Sequence, residues 1–383
     1  MSAATALVPL WNRAEEWARR LAMVRNARTF LYLSTFYIEY DRYAQTMLAD
    51  LLAAQRRGVA VNLLIDAFGQ RLGGVLMSAE QRAQLTRDLN AIRNAGGIVS
   101  YYRPAFFIQR QVGGGQHFKI QVSDAGEAIF GSSNITKSSF DGWNEYSVAV
   151  SGPIVRTLLE SYREIGGTVD EAHLTQLDDA SGGLDANLSL DYWFCNPNLL
   201  QGPRGPFGWS GPNEVTDRLI EMLDAARSEV LLTSFYFKPV RALMDAVVRA
   251  AERGVHVEVH HSHREALAAT DLAWIAAAVN YPRLLEAGVT IYENRHGEHS
   301  KIVVVDRSWG SFGTYNFEDA AHDRLAEAML ASRDQRAIAP LLAIVEGLRH
   351  DPDNTLVNKE TVRDWPIRVK RRVARFGRFK RWM

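Results

Sequence analysis

The strongest constraint on this chain is a stretch of sequence that it contains twice. Gln116-His117-Phe118-Lys119-Ile120-Gln121-Val122-Ser123-Asp124 recurs as Glu298-His299-Ser300-Lys301-Ile302-Val303-Val304-Val305-Asp306. Each copy has a His, a Lys two residues on, and an Asp seven residues after the His. Fourteen residues past each His stands Gly131 or Gly313, followed by Ser132 or Thr314, then Asn134 or Asn316 at seventeen and Glu145 or Glu327 at twenty-eight. So many matched offsets make the chain an internal duplication, and its fold must use one unit twice.

The flanking patterns repeat as well. In the first half, Thr29 to Tyr37 reads as a buried strand, Tyr43 to Arg57 as a helix closed by Gly58, and Val59 to Ile65 as the next strand. In the second half the same order runs through Val230 to Phe237, a helix from Val240 to Arg253, Gly254, and Val255 to Val259. Phe36-Tyr37 and Phe235-Tyr236 lie 199 residues apart and the two histidines 182, so the first copy holds a longer insertion. It falls between Phe68 and Arg93 and predicts a short helix. Ala95-Gly96-Gly97-Ile98 and Ala287-Gly288-Val289 each end a helix and open a strand leading to a histidine. The Gly113-Gly114-Gly115 run before His117 reads either as a flexible lead leaving room for a ligand or as an exposed turn. At the N-terminus, Leu7, Leu10, Trp11, Ala14, Trp17, Ala18 and Leu21 fall at helical spacing, with Arg13, Glu16, Arg19 and Arg20 mostly opposite. That predicts a helix packed on the core, with membrane contact as the alternative.

At 383 residues, two units of under 200 residues fit best, divided as 1–176, a connection 177–213, 214–350 and a tail 351–383. The connection is rich in Gly and Pro interleaved with Tyr192, Trp193, Phe194, Phe207 and Trp209. Aromatics need a surface to pack on, so it either lines a site entrance or seals the joint between halves. In the tail, Arg368, Lys370, Arg371, Arg372, Arg375, Arg378, Lys380 and Arg381 accompany a stripe of Val369, Val373, Phe376, Phe379 and Trp382. Such a cationic amphipathic helix suits an anionic lipid surface, while nucleic-acid binding or fraying are the alternatives. Overall, 44 basic residues balance 44 acidic ones, which excludes a global field that would gather nucleic acid nonspecifically. Cys195, the one cysteine, excludes an internal disulfide and a clustered structural zinc site. No apolar run is long enough to span a bilayer, and Glu15 and Glu16 interrupt any signal-like stretch, so a cytoplasmic or membrane-peripheral protein is expected.

Residues two apart on a strand share a face, so His117 with Lys119, and His299 with Lys301, can enter one pocket. A neighbouring strand would add Ser132 and Asn134, or Thr314 and Asn316. Two such halves meeting would set two imidazoles and two ammoniums around one anion, with hydroxyl and amide donors for phosphodiester oxygens. One imidazole can attack phosphorus while the other protonates the departing oxygen. Glu145 and Glu327 are placed to hold the second ring nitrogen of a histidine and fix its tautomer. No metal or cofactor is called for. Asp124 and Asp306, each ending a strand, read as structural turn residues.

On these residues the chain resembles the phospholipase D superfamily, whose signature is His-X-Lys-X4-Asp followed by Gly-Ser and Asn, across most of residues 25–335. The resemblance implies an α/β fold of two repeats, each a mixed β-sheet flanked by helices, related by a pseudo-twofold with the active site between them. It also implies a phosphohistidine intermediate. His117 and His299 would be nucleophile and general acid, with His117 taken as the nucleophile. Lys119, Lys301, Asn134 and Asn316 would bind phosphate, and Ser132 and Thr314 would be supporting donors. Among superfamily members the bacterial cardiolipin synthases are most similar, through the segment Trp143 to Pro153 and through Thr233 to Phe237 with its following helix. They join two phosphatidylglycerols and release glycerol.

Phe118 and Ser300 stand where those synthases carry Arg, Thr314 replaces Ser, Asp319-Ala320-Ala321-His322 replaces an Arg-Ser-Phe stretch, and Ala326 replaces the Asn before the glutamate. These departures bear on lipid and acceptor choice. The expected activity is therefore a phosphatidyl transferase on phospholipid, acting on an anionic membrane through residues 367–383 and complete as a monomer. The alternatives are a hydrolase releasing phosphatidic acid and a metal-independent nuclease of the same superfamily.

Overall fold

A computed structural model describes residues 2–182, 185–200, 204–205, 208–267 and 271–377. Two sheets share one strand order. In the first it runs Ala6–Leu10, Ser147–Ser151, Glu127–Gly131, Ile120–Ser123, Phe30–Thr35, Ala60–Asp66, Ile98–Tyr102. The second runs Leu188–Cys195, Leu325–Ser332, Trp309–Gly313, Ile302–Val305, Glu229–Ser234, His256–Ser262, Thr290–Asn294, with Ser2–Ala4 and Asn354–Val357 added at its two edges. The three strands from Phe30–Thr35 to Ile98–Tyr102 are parallel, as are their second-half counterparts, because a helix returns the chain between them. The motif strands join antiparallel to this block. Strand Phe30–Thr35 is buried throughout, which accounts for its unbroken apolar run.

The sheets share a core in which Phe118, Phe130 and Val148 from one meet Ile302, Phe312 and Leu330 from the other. Helices Ile154–Glu164 and Gln335–Leu348 add Leu158, Leu159, Ile338 and Leu341 to it. The outer face of each sheet has its own core, covered by helices Arg13–Asn26, Arg42–Arg56 and Ala79–Asn94 in the first half and by Glu214–Ala225 and Arg241–Glu252 in the second. No helix among the described residues is long and apolar enough to cross a membrane.

Several expectations are corrected here. Leu7 and Leu10 belong to a strand, Ala6–Leu10, paired with Ser147–Ser151, and the helix begins only at Arg13. Asn12 sets that start by accepting hydrogen bonds from the amides of Ala14 and Glu15. Helical spacing alone could not report a strand partner 140 residues away. Glu16 and Arg20, assigned to the polar face, are buried as an ion pair at 2.8 Å, with Glu16 also accepting from Ser133 and Ser147. The insertion holds two helices, Ala67–Val75 and Ala79–Asn94, the second opened by a Ser78–Gln81 capping box.

The Gly113 to Gly115 run is neither an open lead nor an exposed turn. It is buried, and a Cβ on Gly115 would lie 2.8 Å from both carboxylate oxygens of Asp66. Within the expected connection, Leu188–Cys195 is a strand of the second sheet, and Trp193 stacks on Trp309 with centroids 5.8 Å apart. Its aromatics therefore seal a core. Phe207 lies outside the described residues.

The tail also joins the second half. Asn354–Val357 is an edge strand on Thr290–Asn294, and helix Ile367–Phe376 buries Val369 and Val373 in the second-half core. Arg372 pairs with Asp271 at 2.7 Å. The stripe thought to face lipid is thus occupied by the chain itself as far as Phe376; Phe379 and Trp382 lie outside the described residues.

Candidate active site

His117 and Lys119 sit immediately before strand Ile120–Ser123, and His299 and Lys301 before Ile302–Val305. All four are buried. Each ammonium donates to the carbonyl of its own histidine, Lys119 Nζ to His117 O at 2.8 Å and Lys301 Nζ to His299 O. The intervening residues face away from the pair. Phe118 enters the shared core against Phe130 and Phe194, and the Ser300 hydroxyl meets Thr233 Oγ1 at 2.7 Å and the Glu298 carboxylate. Both side chains are thus engaged within the protein, Phe118 in the shared core and Ser300 with Thr233 and Glu298.

The halves are joined residue to residue at the histidines. Gly115–Gln116 runs parallel to Leu325–Ala326, and the His117 amide donates to Ala326 O at 2.8 Å. In the mirrored contact Asn144 bridges Glu298, and the His299 amide donates to Asn144 O at 2.8 Å. Because Asn144 and Ala326 immediately precede the motif glutamates, this pairing delivers each glutamate to the opposite half's imidazole. His299 Nδ1 lies 2.7 Å from Glu145 Oε2, and His117 Nδ1 lies 3.2 Å from Glu327 Oε2 and 3.0 Å from the carbonyl of Thr314. A carbonyl oxygen only accepts, so His117 carries its hydrogen on Nδ1 and its lone pair on Nε2. The Ala326 departure is local: Asn144 donates to Glu298 Oε2 at 3.1 Å, while opposite Ala326 the Gln116 amide turns to Thr35 O at 3.0 Å.

Charge distinguishes the two halves. Burial, with Lys119 and Lys301 adding to it, holds His117 well below the usual imidazole range. Burial also brings His299 down to about 3 against the pull of Glu145. Both imidazoles are neutral in this pocket, and each responds to the lysine of the other half. Burial brings Lys119 down to about 7 and Lys301 down to about 8. Both glutamates are pushed up by burial, yet His299 and Lys301 pull Glu145 down to about 2 while Glu327 stays well above the carboxylate range.

Of the other expected residues, Asn134 and Asn316 are buried, and Asn134 Nδ2 has no protein partner. Ser132 Oγ donates to Tyr146 O at 3.1 Å, and Thr314 Oγ1 donates to Glu327 Oε2 at 2.5 Å, so in this structure both hydroxyls are bonded within the protein. Asp124 accepts the amides of Arg28 and Thr29, and Asp306 those of Arg227, Ser228 and Glu229, so both carboxylates tie down turns.

Sequence reasoning missed the aromatic walls. Phe36 meets His117 edge-on at 4.9 Å, Phe235 meets His299 at 4.7 Å, and Trp143 stacks on His299 at 4.9 Å. It also missed an asymmetry. Lys238 pairs with Glu318 at 3.2 Å, and Glu318 in turn accepts from Asn316 Nδ2 at 3.2 Å. The corresponding first-half residues are Glu39 and Thr136, found by carrying the repeat offsets onto single positions. Two imidazoles whose Nδ1 atoms are taken by the opposite half's glutamate thus lie within the electrostatic reach of both lysines, a set with the chemistry to hold a tetrahedral anion.

Comparison with known proteins bears on the family and the fold. The family described as cardiolipin synthase, phospholipase D-like domain, matches residues 21–165 and 219–349. Cardiolipin synthase B of Escherichia coli (strain K12) is 24% identical over 361 residues, covering 88% of this chain and 80% of its own length. Cardiolipin synthase of Geobacillus kaustophilus (strain HTA426) is 27% identical over 334 residues, covering 83% of this chain and 61% of its own. The crystal structure of a phosphatidylserine synthase from Haemophilus influenzae Rd KW20 superposes over 100% of this chain and 95% of its own with a TM-score of 0.71, at 16% identity, a likeness of fold.

Proposed function

The chain belongs to the phospholipase D-like domain family of cardiolipin synthases and is a phospholipid-modifying enzyme of that superfamily, and we propose that it transfers a phosphatidyl group between alcohols through a phosphohistidine. The observation that carries this reading is the crossed pairing of His117 with Glu327 and His299 with Glu145, which fixes both Nδ1 atoms and frees both Nε2 atoms. The bound phosphodiester anion and Glu145 let His299 take up a proton from solvent on Nε2. His117 Nε2 attacks phosphorus, a P–N bond forms, the P–O bond to the departing alcohol breaks, and the His299 imidazolium gives that oxygen its Nε2 proton. His299 then takes the proton of the incoming hydroxyl as its oxygen displaces His117 from phosphorus.

This division of labour follows from the glutamates. An ionised Glu145 stabilises the imidazolium that His299 must become, whereas His117 donates Nδ1–H to a neutral carbonyl and keeps its lone pair for attack. Burial is the larger cause that holds both histidines neutral, and the lysine charges add to it. A phosphodiester anion arriving between Lys119 and Lys301 offsets that second part, and Asn134 Nδ2 offers it a further donor. With phosphatidylglycerol as both donor and acceptor, the products are cardiolipin and glycerol.

The test is product analysis after incubating the purified chain with phosphatidylglycerol vesicles. Cardiolipin with stoichiometric glycerol supports the reading. Phosphatidic acid as the main product would reassign the acceptor to water, and absence of turnover on every phospholipid would overturn it.

A further inference from the structure

Exposed apolar side chains gather beside the site. On helix Ala67–Val75 and the residue after it, Leu72, Val75 and Leu76 stand in solvent, with Val75 75% exposed. On the adjoining helix Phe107–Gln111, Phe107 is 70% and Ile108 61% exposed. The two helices touch, since Arg71 donates to the carbonyl of Arg110 at 3.2 Å. Five large apolar side chains turned outward on adjoining helices exceed the scattered single exposures of an ordinary surface.

Uncompensated charge surrounds them. A cleft of about 580 Å³ is lined by Arg71, Arg82, Arg103, Tyr101 and Val75. Arg71, Arg82 and Arg110 bond backbone carbonyls. Among the described residues neither they nor Arg103 takes part in an ion pair, while many other exposed arginines of this chain do.

The surface is coupled to the catalytic pocket. A Cβ on Gly73 would lie 2.7 Å from the Tyr37 ring and one on Gly69 2.6 Å from the ring of Phe36, the residue that lies edge-on to His117. Helix Phe107–Gln111 also leads, after Val112 and the buried glycines, directly into Gln116 and His117.

We propose that helices Ala67–Val75 and Phe107–Gln111 form the membrane-docking face, inserting Leu72, Val75, Leu76, Phe107 and Ile108 into an anionic bilayer with headgroup phosphates in the arginine-lined cleft. Outward apolar side chains within a cationic rim match the headgroup boundary in both hydropathy and charge. The proposal rests on the lipid reading for its choice of occupant. It replaces the C-terminal helix as the insertion element, because Val369 and Val373 are buried in the protein. The insertion that lengthens the first repeat thereby acquires a role.

The test is co-sedimentation of the full chain with vesicles of phosphatidylglycerol and phosphatidylcholine, which does not require turnover. The triple variant Val75→Ser, Phe107→Ser, Ile108→Ser should bind at least about tenfold more weakly while keeping its melting temperature. Arg71→Glu with Arg103→Glu should weaken binding to anionic vesicles selectively. Turnover of a detergent-dispersed short-chain substrate should survive in both. Unchanged vesicle binding by the triple variant, or loss confined to Arg368→Glu with Arg371→Glu, would overturn the proposal. Binding that depends on Val75, Phe107 and Ile108 without turnover of any lipid would uphold it while removing the transferase reading.

Discussion

Glu145 and Glu327 hold the same position in the repeat, yet burial, which pushes both up, is overcome at Glu145 by His299 and Lys301, which bring it down to about 2, and prevails at Glu327. That difference makes Glu145→Gln the costlier change. It should lower kcat by about 10²–10³-fold by depriving the His299 imidazolium of its counter-charge, whereas Glu327→Gln should cost about tenfold. A double-mutant cycle should find strong coupling between Glu145 and His299, and Glu145→Gln should cost little once either histidine has been changed to Ala. Either histidine changed to Ala should remove most turnover, with the double change adding little, and independent losses would argue against a shared pocket. The lysines set the pH dependence. A group brought down to about 7, as Lys119 is, loses its charge as pH rises through that value, with Lys301 following near 8. The kcat/KM for an anionic lipid should therefore fall on the alkaline side from about pH 7; a rise across that range would contradict a role for the ammoniums in holding phosphate.

At the level of elements, the glycine fourteen residues past each histidine belongs to packing. A Cβ on Gly131 would lie 2.4 Å from the carbonyl of Tyr146, and one on Gly313 would lie 2.3 Å from that of Ala328. Bare backbone lets the strand before the Ser or Thr lie close to the one that follows the motif glutamate. Gly131→Ala and Gly313→Ala should each cost about 1–3 kcal/mol in thermal or denaturant unfolding, with a loss of activity beyond the loss of folded protein because Glu145 or Glu327 shifts. The matched offsets made these glycines visible in the sequence. Their reason was not, because the atoms they avoid belong to a strand partner. The same limit explains Leu7 and Leu10, whose spacing fitted a helix until the pairing with Ser147–Ser151 supplied the competing hydrogen bonds.

On the scale of the whole molecule, the N-terminal segment stitches the two repeats together and the C-terminal segment completes the second. Ser2–Ala4 pairs with Leu188–Cys195 in the second sheet, and Ala6–Leu10 begins the edge of the first. The C-terminal segment adds an edge strand and buries Val357, Val369 and Val373 in the second core. Full burial of a valine contributes about 1.5–3 kcal/mol, so truncation after residue 350 should destabilise the second half by several kcal/mol. Calorimetry should show a lower Tm and lost cooperativity. An unchanged melting curve with weaker vesicle binding would return the tail to the role of a free membrane anchor.

Sequence alone determined the duplication, the strand and helix order around each copy, and the residue types available for chemistry, since these are local or repeated at fixed offsets. It also marked Asp124 and Asp306 as turn residues, because each follows an apolar strand. Tertiary structure decided which glutamate serves which histidine, since the backbone pairing that crosses the halves joins Gln116 to Ala326 and Glu298 to Asn144 across more than 150 residues. It engaged Phe118 and Ser300 within the protein, bonded the Ser132 and Thr314 hydroxyls to Tyr146 and Glu327, and buried Val369 and Val373 of the tail's apolar stripe. In each case the deciding quantity was burial against a distant neighbour, which amino-acid spacing does not encode.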